Sequence, residues 1–184
     1  MFKNIKSEKD VRKYLKRIKK GTKRFWNWIS AHVELSESFI VEYQENFDLS
    51  FLVRFQSLSE NIIRKFKDKL NWNNVILYQI LSEPFMEEFE TNIDWSIITW
   101  NQEVSGEFVE KHIDKIGFKN ICYRNVKDFP ERFLLKHKKE IDWDHVLLQQ
   151  KLSENIINQI SDIVSLIEIR GFQEMHEKIE ELLS

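Results

Sequence analysis

An all-α solenoid of tandem 23-residue two-helix repeats is the fold that this 184-residue sequence predicts. Three observations lead there. The triplet Leu-Ser-Glu recurs at Leu35-Ser36-Glu37, Leu58-Ser59-Glu60, Leu81-Ser82-Glu83 and Leu152-Ser153-Glu154. Four Gly and two Pro are too few for the turns that hairpins and barrels require. The apolar residues, 42% of the chain against 32% charged, return at fixed places in each repeat and at helical spacing.

The phase holds along the chain. The offsets between the triplets are 23, 23 and 71 residues, and the long interval contains two degenerate copies, Val104-Ser105-Gly106-Glu107-Phe108 and Phe129-Pro130-Glu131-Arg132-Phe133. With these the later offsets become 23, 25 and 23, the two extra residues falling in the turn near Val126 to Asp128. A final copy begins at Met175-His176-Glu177-Lys178-Ile179, and Trp26, Ile29 and Glu34 fall in phase as a partial unit upstream. About seven repeats, partial ones included, fill residues 25–184 as one domain. Such constancy marks architectures whose units bury their apolar faces on one another.

Residues 1–24 are the first element, read as a basic amphipathic helix or an amino-terminal cap. Ser7 caps it, Val11, Leu15 and Ile18 form its apolar stripe, and Gly21 stops it. In each repeat the apolar positions are 1, 5, 6, 9, 13, 15 and 18. Ser at position 2 is the N-cap of a first helix of about two turns, and the glutamates that follow (Glu37, Glu60, Glu83, Glu131, Glu154, Glu177) lie at the positive end of its dipole. Phe39, Ile40 and Tyr43, or Ile62, Ile63 and Phe66, share its buried face. Asp48, Asn71, Asp94 and Asp142 cap a second helix, whose inward stripe is Trp72, Val75, Ile76 and Gln79 in one repeat and Trp143, Val146, Leu147 and Gln150 in another. Helices this short are unstable alone, so the repeats must stack.

The pattern L-S-E-x-F-I, then D-W-x-x-I-x-x-x-Q, resembles the short tandem repeats of uncharacterised bacteriophage and giant-virus proteins. The likeness spans roughly residues 25–180 and is clearest at 35–103 and 129–156. The copies at Val104, Phe129 and Met175 depart from it, and Ser165-Leu166 replaces the Asp-Trp pair. The resemblance implies a viral or mobile-element source and a protein that works by occupying a host or defence protein. It brings no catalytic residue or ligand with it.

Composition narrows the remaining functions. The single cysteine, Cys122, excludes an internal disulfide and a multi-thiolate zinc site. No stretch reads as a signal peptide or as the roughly 20 apolar residues of a membrane span, so the expected location is the cytoplasm, that of the host for a viral protein, without a membrane partner. His112 and His137 occupy position 9, filled elsewhere by Tyr43, Phe66 and Phe89, which favours packing over catalysis. His32, His145 and His176 share no phase, and no catalytic or phosphate-binding motif occurs. The expectation is a protein that is not an enzyme and takes no cofactor.

The remaining rows each carry two readings. Trp26, Trp72, Trp95 and Trp143 share the inward position 15 and read as core rather than as base-stacking platforms. The glutamates at position 3 read as dipole partners, because neighbouring helices lie about 10 Å apart whereas metal ligands converge to about 2.5 Å. Gln56, Gln79, Gln102, Gln150 and Gln173, with Asn125, are either a ligand-reading row or clasps for backbone groups of the adjacent repeat, and their near-invariance favours the clasp. Arg54, Leu77, Trp100, Tyr123 and Leu148 vary at position 20, opposite the core stripe, and are the candidate protein-binding row. The other reading packs them against the next repeat or a second copy, which leaves a homo-oligomer open.

Charge supplies the alternative function. Residues 1–24 hold eleven Lys or Arg against Glu8 and Asp10, a local charge of +9, so the rest carries −11 of the total −2. Lys9, Arg12, Lys13, Lys16, Arg17, Lys19 and Lys20 are candidate phosphate contacts for nucleic acid or a nucleotide, or else a solvated cap over the first repeat. The acidic body argues against nucleic acid wrapping along the repeats.

Overall fold

The computed structural model describes residue 2, residues 4–18 and residues 21–183. Lys19 and Lys20 lie outside the described residues. The all-α expectation holds: thirteen α-helices linked by 3-10 turns and one two-residue parallel strand pair make up the regular structure of the described residues. The chain forms two compact units, residues 1–93 and 94–184.

The first unit comprises α1 (Glu8–Ile18), α2 (Lys23–His32), α3 (Glu37–Glu42), α4 (Leu49–Phe55), α5 (Glu60–Phe66), α6 (Trp72–Tyr78) and α7 (Glu83–Glu88). Each start has its capping acceptor. The Oγ atoms of Ser36, Ser59 and Ser82 accept from the amides of Phe39, Ile62 and Phe85, while Asp48 and Asn71 accept from Ser50 and Asn74. The second helices pack in order, α2 on α4 and α4 on α6, burying Ile29, Leu52, Val53, Val75 and Ile76. The Trp72 indole donates to the Lys67 carbonyl at 3.2 Å, which satisfies its one polar atom at the edge of that core.

α1 closes the end of this stack. Val11 is fully buried, the Glu8 carboxylate accepts the Ser36 amide, and Arg12 pairs with Glu42 at 2.7 Å while lying over the rings of Phe39 and Tyr43. The hydrogen bond from Arg12 holds the Glu42 carboxyl below the usual carboxylate range. Through Val11, Glu8 and Arg12, α1 packs one of its faces on the rest of the first unit.

The second unit comprises α8 (Ile98–Asn101), β1 (Val104–Ser105), α9 (Gly106–Ile116), β2 (Val126–Lys127), α10 (Glu131–Lys136), α11 (Trp143–Gln149), α12 (Glu154–Ile160) and α13 (Leu166–Leu183). Ser105, Asp94, Asp142 and Ser153 cap as the pattern requires. α10 packs on α12, and α11 on α13.

Two segments differ from expectation. The repeat at Val104 has no second α-helix: Gly117, with φ 75°, stands where the others carry an Asp or Asn cap, and the chain continues as 3-10 turns at Phe118–Asn120 and Tyr123–Asn125. Glycine at φ > 0 turns the chain and offers no side-chain acceptor, so no α-helix starts there. Its two extra residues lead into β2, which pairs in parallel with β1 in the register Val104 to Val126 and Ser105 to Lys127. The expected new repeat at Met175 is also absent, because α13 runs through it as one 18-residue helix. His176 replaces the capping serine there, and no glycine or proline breaks the helix beyond Gly171.

Candidate functional site

Gln56, Gln79, Gln150 and Asn125 are engaged with backbone, as the near-invariance of their row implied, whereas Gln173 lies within α13 with its buried Nε2 unpartnered among the described residues. Gln56 Oε1 accepts the Leu35 amide at 3.0 Å, and its Nε2 donates to the carbonyls of Ser30 and Val33 at 2.6 and 3.0 Å. One period later Gln79 repeats the set with the Leu58 amide at 2.8 Å and the carbonyls of Val53 and Gln56. Gln150 Oε1 accepts the Phe129 amide at 2.7 Å, and Asn125 donates to the Thr99 carbonyl at 2.9 Å. These side chains join loops and leave little to offer a ligand.

The position-20 row divides. Arg54, Leu77, Trp100 and Leu148 are exposed, Trp100 to 60%. Tyr123 is not: it is 9% exposed, packed beside Phe129, with its hydroxyl oxygen accepting the Asp142 amide at 3.2 Å. The row placed Tyr123 on the outer face of a helix, and the 3-10 turns that replace that helix rotate it inward. Burial pushes its phenol above the usual range, so it stays protonated at neutral pH.

In the first unit the exposed members of the row belong to a larger patch. The Arg54 guanidinium lies 5.4 Å from the Phe55 ring centre and 5.5 Å from that of Tyr78, and Phe51 meets Phe55 at 5.6 Å. Leu77 and Ile80, on the same stretch of chain as Tyr78, are exposed as well, Ile80 to 94%. Phe51, Phe55 and Tyr78 occupy positions 17 and 21, which a single-row reading passes over, although the bulk of these residues was visible in the sequence.

On α1 the structure separates the basic candidates. Arg12 is committed to Glu42, whereas Lys9, Lys13, Lys16 and Arg17 are exposed and have no ion-pair partner among the described residues. At 100° per residue these four share one arc, opposite Val11. The Asp10 carboxylate folds back onto the helix start, accepting from the Ser7 hydroxyl, which holds it below the usual carboxylate range, and from the Lys6 amide.

The interrupted repeat has its own chemistry. Thr99, buried at a position where Val53 and Ile76 stand in other repeats, donates through Oγ1 to the Asn120 carbonyl at 2.7 Å and accepts the Cys122 amide at 2.9 Å. One hydroxyl thus satisfies two backbone groups that the missing helix leaves open. Asp142 caps α11 and pairs with the His145 ring at 3.0 Å. His112 and His137 pack against Trp95 and Phe133, as position 9 implied.

No protein-family model matches the sequence, and neither a curated protein nor a solved structure matches it. No helix among the described residues is long and apolar enough to cross a membrane.

Proposed function

We propose that the chain is a non-enzymatic helical-repeat scaffold, a solenoid of 23-residue two-helix repeats, that binds a partner protein through the patch on residues 51–80. The observation that carries this reading is the exposed cluster in which Phe51 meets Phe55 and Arg54 lies over Phe55 and Tyr78, with Leu77 and Ile80 exposed on the same stretch of chain as Tyr78. Aromatic residues and arginine dominate interface hot spots, and an apolar patch of this kind is costly to leave in water. Arg54 has no ion-pair partner among the described residues, so the complementary surface presents apolar side chains and a carboxylate. In the viral setting that the resemblance implies, that surface belongs to a host or defence protein. The recurrence of the Gln56 and Gln79 clasps at the repeat period supports the solenoid.

Capture of a host protein by the tagged chain, with nuclease present, tests the proposal. Phe55→Ala and Tyr78→Ala are each expected to weaken a nuclease-resistant partner by about 2 kcal/mol, roughly 30-fold, with the melting temperature unchanged. A partner retained equally by the double variant, or a patch covered by a second copy of the chain in sedimentation, overturns it.

A second reading rests on the free cationic arc of α1, which fits nucleic-acid phosphates. Deleting residues 1–24 would remove buried Val11 along with the charges, so the charge-reversal variant Lys9→Glu/Lys13→Glu/Lys16→Glu is the cleaner probe. If this reading holds, salt-dependent retention on DNA is lost in the variant, with the salt slope falling by about 0.9 for each contact removed. Wild-type protein that passes through DNA at low salt refutes the reading.

A further inference from the structure

The unwound repeat opens a cavity of about 750 Å³ that none of the readings above uses. Its walls come from α8, the two 3-10 turns and the start of α11. That size lies within the range of small-molecule sites.

Four features of the lining define a ligand. The Trp100 indole, 60% exposed, offers an open aromatic face. Lys119 and Arg124 line the same space, and neither has an ion-pair partner among the described residues. Tyr123, more than nine-tenths buried, accepts the Asp142 amide and keeps its own hydroxyl proton, for which the described residues supply no acceptor. Glu140, exposed and unpaired among the described residues, is an acceptor on the opposite side of the charge balance. The Asp142 carboxylate, which also lines the cavity, is taken up by the α11 cap and the His145 ring. An aromatic face, two unpaired cations, a buried donor and the free Glu140 acceptor match a planar base, a phosphate and a hydroxyl-bearing linker.

We infer that this cavity binds a nucleoside 5′-monophosphate, its base stacked on Trp100, its phosphate held by Lys119, Arg124 and the Tyr123 hydroxyl, and a sugar hydroxyl or base amine donating to Glu140. The site arises where the repeat departs from its pattern: Gly117 ends the preceding helix and Thr99 ties the unwound segment to α8 through Asn120 and Cys122. Departures from local consistency that are stabilised by dedicated contacts concentrate at functional sites. None of these residues belongs to the patch on residues 51–80, so the two assignments fail independently.

The test is calorimetric titration of the full chain with the four common ribonucleoside monophosphates, with the matching nucleosides and inorganic phosphate as comparisons. At least one monophosphate is expected to bind with Kd below about 1 mM, and its nucleoside and phosphate alone about tenfold or more weaker. Trp100→Ala and Arg124→Ala, both surface changes that leave the melting temperature in place, are each expected to reduce that affinity about tenfold. Absence of saturable binding by all four overturns the inference. So does binding that both variants leave intact, or binding by a single-stranded oligonucleotide without any by a mononucleotide.

Discussion

Gly106→Ala is expected to destabilise the protein by about 3 kcal/mol or more, although helix propensity alone would make the change stabilising by about 1 kcal/mol. The two arguments have opposite signs, so one denaturation curve decides. Gly106 is buried at the start of α9, and a Cβ built there would lie 2.4 Å from Phe129 Cα, 2.6 Å from the Asp128 carbonyl oxygen and 2.8 Å from the Phe129 nitrogen. All three are backbone atoms, so no side chain can swing away. The opposing loop is also held: the Phe129 amide donates to Gln150, Val126 and Lys127 pair with β1, and Asp128 already sits at φ 52°. Moving it would break hydrogen bonds to relieve a clash. A urea midpoint equal to or above wild type would show that the loop yields freely.

Gln79→Ala should cost about 3 kcal/mol, far more than an exposed glutamine. The side chain is 5% exposed, and truncating it strands the buried Leu58 amide and Val53 carbonyl and removes the donor to the part-buried Gln56 carbonyl. A buried group left without its partner bears its full desolvation penalty. Gln159→Ala, an exposed residue bonded to Asn155, is the control and should change stability by less than about 0.5 kcal/mol. Hydrogen exchange adds a local readout. Loss of protection should concentrate at the Leu58 amide, and an unaltered exchange rate there would mean that the clasp contributes nothing.

Much of this was written in the period of the sequence. The serine and aspartate caps, the buried Trp and Ile positions and the engagement of the glutamines all follow from residue type at a fixed phase, because each serves a contact within one repeat or with the next. What escaped the sequence depends on geometry between rows. Tyr123 turned inward because Gly117 altered the backbone before it, and α13 passed through Met175 because a degenerate copy without a cap has no means of stopping a helix. Phe51, Phe55 and Tyr78 joined Arg54 in one patch only through the crossing of α4 and α6. Charge alone did not separate Arg12, paired with Glu42, from Lys9, Lys13 and Lys16, which face solvent.

The glutamine clasp has an evolutionary consequence. Gln56 and Gln79 grip main-chain amides and carbonyls of the adjoining repeat, groups that every residue type carries, so neighbouring sequences can drift without loosening these bonds. A duplication or deletion of one whole 23-residue block carries donor and acceptors together. A gene encoding such a chain can therefore gain or lose one such block without first solving a new folding problem at the joint.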